Sequence, residues 1–204
     1  MTNASSPPAG TAHRSPAARV LSSLAHRWPT ALGLLAMVLS AMDMTMDRGT
    51  NGADGRDQAL VVFLAALIYL ATAMTGRPGV VWILFGLSVV AVTVLRVFDQ
   101  DPWPAMVAGA VTTLAIGLVS DLPRRPRLDA LQIPAMVVFG AAALVALSLS
   151  PLLGSLLVAA ALIGHATLDV IVWRARKVVA RSLAEFCAVL DLTLGVAIVV
   201  FALT

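Results

Sequence analysis

The chain has 204 residues, of which 59% are hydrophobic and only 12% charged, and its mean hydropathy is +0.92. Soluble domains average about 45–50% apolar and about 25% charged residues, so these proportions exclude a water-soluble fold and fit a chain that uses a bilayer as solvent. The pI near 10.0 does not point to nucleic acid, because the basic residues form short clusters between apolar runs rather than one long basic face.

In chain order, residues 1–24 are rich in Ser, Pro and Ala. They read as a disordered cytoplasmic tail with too little apolar surface to pack. The stretch 19–28 reads as a short surface helix with Trp28 at the headgroup level. Residues 25–204 read as one all-α transmembrane domain, a polytopic helix bundle. Seven apolar runs follow, at 28–42, 59–75, 79–98, 103–119, 131–148, 152–173 and 184–203. Most have the roughly 20 residues needed to cross about 30 Å of hydrocarbon at about 1.5 Å per residue. The first run is the shortest and reaches a full crossing only if it continues through Met44 and Met46. It reads as an uncleaved anchor, since Leu39 spoils the small-x-small pattern that cleavage after Ala41 would need.

Charge sets the expected orientation. With the N-terminus inside, the inner segments collect Arg14, Arg19, Arg27, Arg77, Arg124, Arg125, Arg127, Arg174, Arg176, Lys177 and Arg181, which is 11 of the 14 basic residues. The outer segments keep Arg48, Arg56 and Arg96 beside Asp43, Asp47, Asp54, Asp57, Asp99 and Asp101. Lys and Arg in short loops hold the cytoplasmic side, so seven spans give an N-terminus in and a C-terminus out. The expected location is the plasma membrane. The segment DLPRRPRLD between spans 4 and 5 is the expected contact with anionic lipid headgroups at the cytoplasmic face.

Polar residues within the runs are few. Gly109, Thr113 and Gly117 repeat at four-residue spacing in span 4, a small-residue stripe that suits close helix packing, with a second copy or with a membrane partner. Arg96 lies near the outer end of span 3, with outer carboxylates nearby, as a snorkelling arginine does.

The last two spans stand apart, reading LIGHATLDVIVWRARK and SLAEFCAVLDLTLG. His165 and Asp169 are at i, i+4 on one helix face, and so are Cys187 and Asp191. His165 is nine residues before Arg174 and Asp191 nine after Ser182, each roughly 13 Å deep at about 1.5 Å per residue. A short loop makes the two helices antiparallel neighbours, so His165 and Asp191 are expected to meet, with Asp169, Glu185 and Cys187 nearer the cytoplasm. A charged Asp at mid-helix costs about 2.5–3.5 kcal/mol on insertion scales. Three readings fit: a polar network that fixes packing, a cytoplasm-facing site for a small solute or proton, or a catalytic or metal centre.

The H-x3-D … C-x3-D pattern over residues 160–200 resembles that of small bacterial multi-pass membrane proteins with no assigned activity, which often carry an aromatic where Leu168 stands. The resemblance implies that His165, Asp169 and Asp191 matter together. Absences narrow the chemistry. Retinal attachment needs a lysine in the last span, and the one lysine, Lys177, is in a loop. No G-x-S-x-G, H-E-x-x-H, Walker A or G-x-G-x-x-G sequence occurs. Neither a substrate nor a cofactor is legible.

The orientation is testable by single-cysteine labelling in a Cys187→Ala background. Arg125→Cys is expected to stay unreactive to an impermeant reagent on intact cells, and Asp101→Cys to react. Labelling of the first from outside overturns the assignment.

Overall fold

The computed structural model describes residues 27–47 and 55–204. The tail 1–24, the surface stretch before Arg27 and the acidic loop around Asp54 lie outside the described residues. Among those described, the chain is all-helical.

Seven helices carry the apolar runs: α1 (Trp28–Asp47), α2 (Ala59–Thr75), α3 (Val81–Val97), α4 (Pro102–Val119), α5 (Gln132–Ser148), α6 (Pro151–Ala175) and α7 (Arg181–Leu203). Six stretches, in all of these but α2, are long and apolar enough to cross a membrane. α1 does run past Met42 to Asp47. α2 has 17 residues and is the shorter apolar helix, and it is also enclosed: eleven of its side chains are buried. By contrast Val81 is the only buried residue of α3, and its Ile83, Leu87, Val90 and Val97 are exposed. Side chains turned outward like these face lipid without cost, because hydrocarbon is as apolar as they are.

The order of packing follows from this. α2 contacts α3, α4, α5 and α6; α6 pairs with α7 and α5; and α1 lies along α7. Glycines set the closest approaches. A Cβ on Gly195 would stand 2.9 Å from Ile163 Cγ1 and 3.1 Å from the Ala159 carbonyl, where α7 crosses α6. A Cβ on Gly33 would stand 2.8 Å from the Phe186 carbonyl, where α1 crosses α7. The span 4 stripe turns toward α2: Gly117 looks onto Leu70, Met74 and Leu122, while the Thr113 hydroxyl donates to the Gly109 carbonyl at 2.7 Å within its own helix.

Contacts between helix ends sort the loops onto two faces. At one end the Trp28 and Trp82 rings stand 5.2 Å apart, Trp82 Nε1 donates to Ser182 Oγ at 3.0 Å, and the Ala180 N–H donates to the Pro78 carbonyl at 3.1 Å. Arg125 joins this end by donating to the Ala73 and Met74 carbonyls at 2.8 and 3.2 Å. It thereby satisfies acceptors that the last turn of α2 leaves over, just before Gly76 reverses the chain in the left-handed region, φ 62°. At the other end Arg56 donates to the Leu149 carbonyl at 2.8 Å. Arg96 and Asp43 share a cavity of about 260 Å³ there. Asp101 accepts from the Trp103 N–H at 3.0 Å and so caps α4.

Backbone contact at Gly33 predicts a sharp contrast. Gly33→Val is expected to lower the thermal midpoint in detergent, as overpacking costs about 1–3 kcal/mol. Gly86→Val, with nothing within 4 Å of its Cβ, should leave the midpoint unchanged. Equal effects would show that the α1–α7 crossing is not the close contact described.

Candidate functional site

α6 brings two polar side chains to its buried face because His165 and Asp169 are one turn apart. The loop 176–180 then reverses the chain through Arg176 and Val178, both at positive φ, 54° and 70°. α7 therefore returns antiparallel along α6 and carries Asp191 to the level of His165.

The geometry is compact. His165 Nδ1 lies 2.8 Å from Asp191 Oδ2 and 3.4 Å from Asp169 Oδ2. Tyr69, from α2, donates its hydroxyl to Asp169 Oδ1. All four residues are at most 1% exposed. The imidazole ring sits between the edges and faces of Tyr69 and Phe139, at centroid distances of 5.2 and 5.1 Å. One donor atom each from His165, Asp169 and Asp191 falls within a 4.8 Å group.

Not every polar atom is matched. His165 Nε2, Asp169 Oδ2 and Asp191 Oδ1 are buried without a hydrogen-bond partner, and so is Trp173 Nε1, one turn beyond Asp169 on α6. The Nδ1 position holds at most one hydrogen. If that hydrogen serves Asp191, it leaves Asp169 Oδ2 unserved. Burying an unmatched polar atom typically costs about 1–3 kcal/mol, and more if charged.

Of the five residues singled out in the sequence, three converge and two do not. Cys187 is buried nearby, but its sulfur is not among the converging donors. Glu185 lies elsewhere: its Oε1 accepts from Thr30 Oγ1 at 2.5 Å. It lines a second cavity of about 440 Å³ at the tryptophan-rich end, with Arg27, Trp173 and Arg181. Six residues separate Glu185 from Asp191, which turns it to another face of a helix with about 3.6 residues per turn. Tyr69 was missed by sequence reading. Its signal was available, as the only tyrosine in the chain sits inside an apolar run, where a phenol hydroxyl needs a partner.

A cavity of about 190 Å³ adjoins the cluster, with Asp191, Tyr69 and Cys187 in its wall and Leu64, Phe85 and Phe186 among its apolar lining. Along α6 from His165 toward the opposite end, Leu162, Ala161 and Val158 are buried and apolar, and on α7 Leu194 and Ile198 continue the same seal. In the other direction the column His165, Asp169, Trp173 leads to the cavity that holds Glu185 and Arg181, whose guanidinium lies 4.2 Å from the centre of the Trp173 ring.

No protein-family model, curated protein or solved structure matches the chain. Tyr69→Phe is expected to lower the thermal midpoint, because Asp169 Oδ1 loses its donor at a cost of about 1–3 kcal/mol. A midpoint equal to that of the unaltered protein would show that the phenol hydroxyl contributes nothing to the fold.

Proposed function

We propose that this chain is a seven-span protein of the plasma membrane, N-terminus in the cytoplasm and C-terminus outside, which binds or transports a small cationic solute, the proton included. The site is the cluster of His165, Asp169 and Asp191 between α6 and α7. One observation carries this reading: three ionisable side chains converge at mid-helix, fully enclosed, with polar atoms left unmatched. A network kept only for packing gains most when each member is satisfied. Two carboxylates against one imidazole also leave room for positive charge, and intramembrane ionisable groups mark ion and proton paths by default.

The seventh span is α2, whose short length is tolerable because neighbouring helices enclose it. Support for the orientation comes from the sorting of loops: among described residues Arg27, Arg77, Arg124, Arg125, Arg127, Arg174, Arg176, Lys177 and Arg181 belong to one end, and Arg56 and Arg96 to the other. The polar column from His165 through Trp173 leads to the basic end, which favours access from the cytoplasm. The apolar seal beyond His165 favours a site open to one side at a time.

Proteoliposomes that enclose a pH-sensitive dye test the reading. An imposed pH difference should dissipate faster with the unaltered protein than with Asp191→Asn, which keeps the side chain's shape. Equal rates, with both proteins folded, would remove the transport reading.

A further inference from the structure

We propose that the cluster is built for one divalent transition-metal ion, held by His165 Nδ1 and one oxygen each from Asp169 and Asp191. This rests on the reading of the cluster as a cation site and names the class of cation. Ligands bound to zinc at about 2.0–2.2 Å in a tetrahedron stand about 3.3–3.6 Å from one another. The 3.4 Å contact of Nδ1 already matches that separation, and the 2.8 Å contact reaches it by opening about half an ångström.

A proton on Nδ1 bonds one carboxylate and leaves Asp169 Oδ2 buried without a partner. An ion bonded to all three donors engages Asp169 Oδ2 and Asp191 Oδ2 at once, while Asp191 Oδ1 and His165 Nε2 stay without a hydrogen-bond partner among the described residues. Charge selects the valence. Two carboxylates and a neutral imidazole, the form that binds metal, sum to −2, which a divalent ion cancels and a monovalent ion does not. In a dry interior that residual charge would be costly.

Donor type selects the class. Imidazole with carboxylates suits zinc, manganese and iron(II), whereas calcium and magnesium prefer all-oxygen shells with more ligands or retained waters. The exclusion of the Cys187 sulfur from the converging donors argues against a soft ion such as copper(I). Orientation is also provided. Tyr69 holds the far oxygen of Asp169, and such hydrogen bonds to a ligand's other atom fix its direction and strengthen binding. The cavity beside Asp191 and Tyr69 leaves space for a further ligand from solute or solvent.

The full chain, purified in nanodiscs and stripped with chelator, should bind one Zn²⁺ or Mn²⁺ per chain in calorimetric titration and show no comparable binding of Ca²⁺. His165→Asn and Asp191→Asn should each abolish that stoichiometric binding. Tyr69→Phe should weaken it about 10–100-fold, and Glu185→Gln should leave it unchanged. Because the asparagine variants can lose the fold, zinc K-edge absorption on the unaltered protein provides a second arm, with a nitrogen and oxygen shell expected. Absence of saturable binding, binding that survives Asp191→Asn, or sulfur in the shell overturns the proposal. Proton flux that depends on Asp191 without metal binding removes the metal and keeps the cation site, whereas loss of both results removes both.

Discussion

Inside about 30 Å of hydrocarbon a carboxylate has no water to turn to, so Asp169 depends on its neighbours. Tyr69 reaches it from α2, and His165, one turn away on α6, stands between it and Asp191 on α7. Three helices are thereby tied at one level. Sliding α7 against α6 by a residue would part Asp191 from His165, and rotating α2 would withdraw Tyr69. Lipid-facing apolar surface supplies little direction to helix packing, so these polar contacts do much to set register. The glycines then let the tied helices close: Gly195 admits the backbone of α6, and Gly33 lets α1 lie on α7.

Much of the architecture was legible in the residues. Runs of Ala, Val and Leu mark the helices, and the i, i+4 pairing of His165 with Asp169 shows which face of α6 is polar. The short first run needed Met44 and Met46, and α1 includes both. What periodicity could not convey is which helices are neighbours. A helix that is apolar all round has no distinct face to read, so nothing local links Tyr69 to a residue 100 positions away. Glu185 shows the limit of depth alone: it was expected below the His165–Asp191 pair, and the helical turn points it to Thr30 rather than into the cluster. Asp101 was grouped with Arg96 by charge, while its position before Pro102 makes it the cap of α4.

The two directions away from the cluster differ in kind. Toward the basic end lie Asp169, Trp173 and then a cavity with charged walls. Toward the other end lie only packed aliphatic side chains, from Leu162 to Val158 and from Leu194 to Ile198. Polar side chains thus continue from the cluster toward one end of the bundle and, for about two turns of helix, not toward the other. The buried side chains between the cluster and Val158 on α6 or Ile198 on α7 are all apolar, about two turns of each helix.

The brevity of α2 bears on membrane thickness. Seventeen residues reach about 25 Å at about 1.5 Å each, less than the hydrocarbon layer, and a short hydrophobic helix makes up such a mismatch by drawing the interface toward itself. Here the guanidinium of Arg125 is already fixed on the carbonyls of Ala73 and Met74, within about two turns of Tyr69. A group that stays charged thus lies about one to two helical turns from the buried phenol of Tyr69.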